Sequence, residues 1–333
     1  MIAADVFAVD PWSIPERELH LDLLAQSESI FALSNGHIGL RGNLDEGEPA
    51  GAPGTFLNAF YEIRPLPYAE GGYGYPEAGQ TMINVTNGKV IRLLVDDEPF
   101  DVRYGRLVRH ERVLDLRAGV LRRDVEWISP AGQGIRLRST RLVSFVQRSV
   151  AAILYEIETV GAPARIVVQS ELVANEPLPE QGDDPRAAAA LRAPLVAEHH
   201  THGDLHGALV HRTRASKLRM AAAMDHVVEG PEGTVTESES EPDLARVTVS
   251  TEVVPGQRLR IVKLLSYGWS SRRSLPALRD QVDAALAAAR RTGWDGLCAR
   301  QREYLDDVWG RADVELVGDP ALQQAVRFAL FHV

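Results

Sequence analysis

The apolar positions between residues 90 and 270 recur with a period near two. The segment GIRLRSTRLV places five alternate residues on one side: Ile135, Leu137, Ser139, Arg141 and Val143. The same kind of pattern occurs in RSVAAILYEIETV, ARIVVQSELV, ARVTVSTEVV and RLRIVKLLSYGW. In VIRLLVDDEPFDV it is interrupted at Asp96-Asp97, as expected for the turn of a hairpin. Short alternating runs are typical of half-buried strands. Because no long helical pattern interrupts them, they predict a large antiparallel β-sandwich in a mainly β protein.

Residues 1–80 carry many turn formers among short apolar runs. Examples are Asn35-Gly36, Arg41-Gly42-Asn43 and EGGYGYPEAG over residues 70–79. This composition predicts loops and short strands.

After residue 270 the period becomes that of a helix. Ser274 is a possible N-cap, Pro276 lies in the first turn and Gly293 follows the last periodic residue, so both helix ends are marked. WDGLCARQREYLDDVWG predicts a second helix. We therefore divide the chain into a sandwich (1–270), a helical linker (271–317) and a further helix (318–333).

The last segment, DPALQQAVRFALFHV, has Asp319 as a possible N-cap and Pro320 in the first turn. Helical spacing places five residues on one apolar stripe: Leu322, Val326, Ala329, Leu330 and Val333. No capping signal follows Val333. The pattern leaves open what this stripe packs against.

Composition is that of an ordinary globular protein, with 45% hydrophobic and 25% charged residues in 333. The formal charge of −10 disfavours binding to nucleic acid or an anionic membrane. The N-terminus lacks a signal-peptide pattern and no membrane-length apolar run follows, so we predict a cytoplasmic protein. The single cysteine, Cys298, excludes an intrachain disulfide and is predicted to be a small buried hydrophobe.

Two polar clusters suggest chemistry. His199, His200, His202 and His206 are dense enough to suggest a metal site, but their spacing supplies no convergent geometry, so we predict a solvated loop and no metal. The acidic run from Glu237 to Asp243 is interpreted as a charged turn.

Asp45, Glu46 and Glu48 are candidates for an acid and base pair. Because they are neighbours in a Gly- and Pro-rich loop, we expect them to point at water instead. The adjacent GLRGN lacks the spacing of a dinucleotide site and is interpreted as a turn. No residue of the chain is assigned a catalytic role.

Tyr73 and Tyr75 lie among glycines. Exposed tyrosine rings can stack on sugar rings, which makes these two residues candidates for contact with a carbohydrate substrate. The alternative is that they pack against their own sandwich.

Several separated segments resemble, in order, the N-terminal half of glycoside hydrolase family 65. They are SESIFALSNGHIGLRGNLDEG, GTFLNAFYE, NVTNGKVIRLLVDDEPFDV, LDLRAGVLRR, TRLVSF, TRASKLRMAAAMDH and DPALQQAVRFALFHV. That family contains the maltose, trehalose and kojibiose phosphorylases together with some trehalose-type hydrolases.

The resemblance implies a galactose-mutarotase-like super-sandwich, a helical linker and then an (α/α)₆ barrel that holds the catalytic glutamate and the phosphate-binding residues. Neither region has a counterpart in this sequence, and the resemblance implies that residues 318–333 are the start of the barrel's first helix. We therefore expect the stripe of this helix to be exposed, and residues 319–333 to be mobile or held in a non-native contact. The implied reaction is an inverting displacement on an α-glucosyl disaccharide, without an organic cofactor and with inorganic phosphate as co-substrate if the enzyme is a phosphorylase. The implied partners are the disaccharide, the chain's own barrel and a second copy in a homodimer. The alternative is a free-standing carbohydrate-binding or scaffolding module.

Overall fold

The structure is a computed structural model, and it describes residues 6–47, 49–66, 72–177 and 193–333. The first half contains short elements. They are β1 (Ser13–Glu16), a 3₁₀ turn (Leu21–Leu23), α1 (Leu24–Ile30), β2 (Leu33–Ser34), β3 (Ile38–Leu40), β4 (Thr55–Leu57), β5 (Tyr61–Pro65), β6 (Ala78–Met82), β7 (Ile91–Val95) and β8 (Glu98–Pro99). The prediction of loops and short strands for residues 1–80 is confirmed for the strands of the described residues, but it missed the 3₁₀ turn and α1.

Longer strands follow. They are β9 (Arg106–Asp115), β10 (Val120–Ile128), β11 (Gly134–Val143), β12 (Val150–Val160), β13 (Ala164–Val173), β14 (Leu195–Gly203), β15 (His206–Thr213), β16 (Arg219–Glu229), β17 (Val235–Glu241), β18 (Leu244–Val253) and β19 (Arg258–Ser270). The chain then forms α2 (Leu275–Ala312) and α3 (Pro320–Phe331).

The strands form two large antiparallel sheets. One has nine strands in the order β1-β9-β10-β11-β12-β19-β16-β15-β14, and the other has five in the order β17-β18-β13-β7-β8. A three-stranded sheet (β2-β3-β4) and the β5-β6 hairpin complete the molecule as described. The prediction of a mainly β antiparallel sandwich is confirmed, and the break at Asp96-Asp97 is the β7-β8 turn, where both residues have positive φ.

The nine-stranded sheet is buried on both faces. In β12, Ile153, Tyr155 and Ile157 belong to the core between the two large sheets. Val150 and Ala152 belong to a second cluster on the opposite face. The period of two in the sequence therefore separates two cores.

Helix α2 covers the outer face of the nine-stranded sheet. Its Leu278, Val282 and Leu286 are buried in the second cluster, together with Ala221 and Ala223 of β16. Backbone helicity is interrupted at Gly293, where φ is 70° and ψ is 165°. The predicted pair of helices, separated at Gly293, is therefore confirmed as one kinked element.

Cys298 lies on the second half of α2 and packs, half-buried, against the second cluster. Burial raises the pKa of its thiol to about 11. The thiol is consequently neutral near pH 7, as expected for a cysteine that packs as a small hydrophobe. Among the described residues, no helix has the apolar length that a membrane crossing requires.

Two polar segments that were predicted as a loop and a turn are strands. The histidine-rich segment forms the β14-β15 hairpin, with His202 opposite Gly207. The acidic run contributes to β17, which pairs with β18. Both predictions were wrong for one physical reason: β14 and β17 are edge strands, where polar side chains remain solvated and protect the edge against unwanted pairing.

Candidate functional site

The acidic loop after β3 enters the sandwich. Asp45 accepts hydrogen bonds from Arg141 Nη2 at 2.5 Å and from Ser139 Oγ at 2.8 Å. Glu46 binds both terminal nitrogens of Arg123, at 2.5 and 2.7 Å. All five residues are buried. The expectation that Asp45 and Glu46 point at water was wrong, and Glu48 lies outside the described residues.

The inner face of the nine-stranded sheet explains why this loop is drawn inward. Arg123 of β10 lies directly opposite Arg112 of β9, and like charges in facing positions repel. Glu46 neutralises the first guanidinium. Glu16 of β1 neutralises the second through two hydrogen bonds of 2.6 and 3.0 Å. We call residues 41–47 and 49–54 the acidic plug.

The contacts of Glu16 favour its charged form. Burial alone would raise the pKa of Glu16, but hydrogen bonds from His110 and Arg112 lower it to about 2. Burial lowers the pKa of His110 despite its contact with Glu16, so its imidazole is neutral near pH 7. The space left between the plug and the sheet is about 10 Å³. That volume holds at most one water and no sugar.

The plug is also anchored from outside the sheet. Glu28 of α1 accepts the backbone N–H groups of Ala50 and Gly51 at 3.1 and 3.2 Å. A Cβ at Gly42 would lie 2.4 Å from Phe31 Cβ, so only glycine fits there. The GLRGN segment is thus the entry of the plug, and Arg41 donates to the Ala25 carbonyl at 2.6 Å rather than to a phosphate.

A second buried polar group adjoins the plug. Lys89 Nζ donates to the carbonyl of Pro53 at 2.8 Å, to Thr55 Oγ1 at 2.6 Å and to Asn87 Oδ1 at 2.8 Å. Burial lowers the pKa of Lys89 well below its usual range. Burial also raises the pKa of the neighbouring Glu176, although Asn87 and Lys89 oppose that change. These contacts join the start of β4 to the segment that precedes β7.

Tyr73 and Tyr75 lie in the segment between β5 and β6. The relative exposure of Tyr73 is 109% and that of Tyr75 is 56%, so neither ring plugs the sandwich. Ile63 and Met82 of the β5-β6 hairpin are exposed too, at 39% and 54%. The hairpin therefore presents a small apolar and aromatic surface. Contact of Tyr73 and Tyr75 with substrate stays a prediction.

The histidines do not converge on one point. His200 and His202 each place Nδ1 about 3 Å from Ser240 Oγ, whereas His206 contacts Asp283 at 3.3 Å. Within the described ranges, no three His, Cys, Asp or Glu side chains form a metal-binding group. His211 is buried elsewhere, with Nε2 2.9 Å from Asp243.

Helix α3 has two different faces. Asp319 caps it by accepting the N–H of Leu322 at 3.0 Å, as predicted. Its inner face is polar: Gln324 donates to the Ala8 and Ser13 carbonyls at 3.1 and 2.8 Å. Arg327 pairs with Asp313 at 2.8 and 2.6 Å, and its guanidinium lies 3.7 Å from the centre of the Trp12 ring. Phe331 is the buried apolar residue of this face.

The predicted apolar stripe is divided: Leu322 and Ala329 lie exposed on α3, whereas Leu330 packs against the core of the sandwich. Leu322, Ala329 and Val333 are exposed, while Val326 and Leu330 are half-buried. The expected exposure of the stripe is thus seen in three of its five residues. A defined cap and specific side-chain hydrogen bonds hold the inner face of the helix on the sandwich. The expectation that residues 319–333 are mobile or held in a non-native contact stays a prediction.

Comparison with known proteins gives a consistent assignment. The model of the glycosyl hydrolase family 65 N-terminal domain matches residues 14–308. An uncharacterized glycosyl hydrolase of Mycobacterium tuberculosis is 62% identical over all 333 residues, which cover 42% of that protein. The α,α-trehalose phosphorylase of Thermoanaerobacter brockii is 32% identical over 98% of this chain and 43% of its own length.

The fold also matches a solved structure. A putative kojibiose phosphorylase from the human microbiome superposes with a TM-score of 0.87 over 98% of this chain and 42% of that one, at 20% identity. The chain spans less than half the length of the curated relatives it matches. With its antiparallel sandwich and a family match over residues 14–308, the chain belongs to glycosyl hydrolase family 65, whose N-terminal domain it contains.

Proposed function

We propose that the full-length protein is an inverting α-glucosyl disaccharide phosphorylase or hydrolase, and that this chain is its non-catalytic sandwich and linker. The acid and the phosphate-binding residues then lie in a helical barrel outside residues 1–333. Inorganic phosphate is the co-substrate if the enzyme is a phosphorylase, and no organic cofactor takes part. The full-length enzyme is a cytoplasmic homodimer in this proposal.

The observation that carries the proposal is the two-sided packing of α3. Its polar inner face is fixed to the sandwich through Gln324 and Arg327, while Leu322 is 50% exposed on the outer side. An exposed apolar stripe beside a fixed polar face suits a helix that packs against further protein. We assign that partner to the remaining part of the longer protein, because the relatives extend over more than twice the matched length.

The acidic plug supports the non-catalytic assignment of the sandwich interior. Asp45 and Glu46 are each bound by a buried arginine, whereas a general acid must lie within hydrogen-bond reach of the glycosidic oxygen. A disaccharide also exceeds the space beside them.

The test compares the 333-residue chain with the full-length protein. Each is incubated with maltose, trehalose or kojibiose, with and without phosphate, and glucose and glucose 1-phosphate are measured. We expect turnover by the full-length protein only. Leu322→Glu and Ala329→Glu should lower full-length activity without unfolding the 333-residue chain. Val235→Glu changes a 54% exposed apolar residue of β17 and is the matched surface control. Turnover by the 333-residue chain would contradict the proposal.

Tyr73 and Tyr75 receive a separate test in the full-length protein. If the rings contact the disaccharide, Tyr73→Ala and Tyr75→Ala should raise KM with little change in kcat, since they would remove uniform binding. Tyr104→Ala, which removes another exposed ring, is the control. An unchanged KM in both variants would remove these tyrosines from the site.

A further inference from the structure

A cleft of about 670 Å³ opens between the sheet and helix α2. Its size is within the range of small-molecule sites. The walls come from four places: the β2-β3 turn, the segment after β4, the β11-β12 loop with the end of β19, and α2. The lining side chains used below are those of His37, Asn58, Gln147, Arg148, Trp269 and Gln281.

The walls of the cleft are held together by hydrogen bonds rather than by loose contact. Asn35 Nδ2 donates to the carbonyls of Ser144 and Arg148 at 2.6 and 2.9 Å, which joins the β2-β3 turn to the β11-β12 loop. Gln147 Nε2 donates to Thr292 Oγ1 of α2 at 2.9 Å. The shape of the cleft is therefore fixed before any ligand arrives, which reduces the entropy lost on binding.

Two local features of the cleft suggest function rather than stability. Ala59 has a φ of 61°, a left-handed conformation that is unfavourable for a residue with a Cβ. Gln147 Oε1 is buried and has no hydrogen-bond partner in the described part of the molecule. A buried acceptor without a partner destabilises the folded chain.

The charges around the cleft differ from those of the molecule. The chain has a formal charge of −10, but no carboxylate lines the cleft among the residues that the structure describes. Arg148 is exposed, and no ion-pair partner is found for it in the described ranges. Burial lowers the pKa of His37, and the charge of Arg148 lowers it further, so the imidazole is neutral near pH 7. The cleft therefore offers one guanidinium and several amide groups, which can hydrogen-bond a polar ligand.

An aromatic wall completes the cleft. Trp269 is half-buried, and its ring contacts Phe60 edge to face at 6.1 Å, which fixes its orientation. The opposite wall is formed by Ala285 and Ala288 of α2, whose small side chains leave room beside the indole. A rigid aromatic ring surrounded by amide and guanidinium groups suits a ligand with one apolar face and a polar rim.

We propose that this cleft is a saccharide-binding site, in which a neutral hexose unit stacks on Trp269 and its hydroxyl groups bind Arg148, Gln147 and the amides of Asn58 and Gln281. The choice of α-glucosyl sugars as probes rests on the proposed function. The site itself rests on the geometry of the cleft.

The test is saturation-transfer NMR with the 333-residue chain and glucose, maltose or trehalose. We expect millimolar binding that weakens at least about tenfold in Trp269→Ala and is largely restored in Trp269→Tyr. Tyr104→Ala removes an exposed ring elsewhere and should leave binding unchanged. If Trp269→Ala fails to fold, Ala288→Leu is the alternative variant. It fills the cleft from a half-buried helical position, and it should abolish binding without unfolding the chain.

Three results would overturn the proposal. The first is the absence of sugar binding. The second is sugar binding that neither Trp269→Ala nor Ala288→Leu reduces. The third is displacement of the sugar by inorganic phosphate that binds more tightly, which would indicate an anion site. These measurements report binding to this chain and not turnover. Their failure is thus distinguishable from failure of the proposed function, which is tested by product release from the full-length protein.

Discussion

The acidic plug and helix α3 both bind the sandwich through charged and polar side chains, yet they end in different environments. The plug is enclosed: Glu46 and Arg123 are 5% and 4% exposed. Helix α3 buries Gln323, Arg327 and Phe331, but leaves Leu322 50% exposed. In both segments, polar contacts determine which side faces the sandwich. The apolar residues on the other side show whether that side still has surface available for a further contact.

The largest expected effect comes from removing a charge inside the plug. Glu46→Gln leaves the buried Arg123 without its counter-charge, and we expect the free energy of unfolding to fall by ~3–5 kcal/mol. Urea titration followed by circular dichroism measures it. Glu239→Gln is the control, because it breaks an ion pair in which the glutamate is 58% exposed, and should change stability by less than ~1 kcal/mol. Equal losses in the two variants would contradict the enclosed character of the plug.

The second prediction concerns acid. Glu16 has a folded pKa of about 2 against an ordinary value of 4.5. Since the pKa is lowered by folding, its stabilisation is present above pH 4.5 and is lost as the pH falls toward 2. The shift corresponds to about 3 kcal/mol. Unfolding free energies measured across this window should decline, and Glu16→Gln should flatten that decline. An unchanged slope in the variant would assign the acid sensitivity to other groups.

A smaller effect is expected at the inner face of α3. Arg327→Gln removes the hydrogen-bonded ion pair with Asp313 and the contact with the Trp12 ring, so we expect α3 to lose about 1.5–3 kcal/mol of docking free energy. Hydrogen exchange of the amides in residues 320–331 measures this local opening. Arg302→Gln breaks an exposed pair within α2 and is the matched control. If the amides of residues 320–331 exchange equally faster in both variants, the effect is not specific to Arg327. That result would mean that α3 is not held by Arg327.

The smallest effect on stability is expected on the outer face of the same helix. Leu322→Gln changes a residue that is half exposed, so the free energy of unfolding of this chain should change by less than ~0.5 kcal/mol. A loss as large as that of Arg327→Gln would show that the stripe already has a partner within the chain.

Much of the fold could be predicted from local pattern. The alternation in GIRLRSTRLV placed Ser139 and Arg141 on the same side as Ile135, and that side is the interior of the sandwich. Ser274 and Asp319 cap their helices as expected, because capping depends on a few neighbouring residues. The strands β14 and β17 were missed because edge strands lack the apolar alternation that identifies a half-buried strand.

The candidate sites could be predicted less well. Asp45 and Arg141 are 96 residues apart in the chain, and no local signal indicates that one will neutralise the other. The cleft beside Trp269 combines a turn, two loops, a strand end and a helix, so its members share no sequence motif. Tyr73 and Tyr75 were identified by their glycine-rich loop, and in the structure their relative exposures are 109% and 56%.

The sequence by itself determined the periodicity, the helix boundaries and the family, since these depend on neighbouring residues or on conserved order of segments. Tertiary structure alone decided which charged residues are buried and which apolar residues remain outside. The physical reason is that a buried charge is tolerated only beside a partner of opposite charge. Such partners come together only after strands distant in the chain have paired.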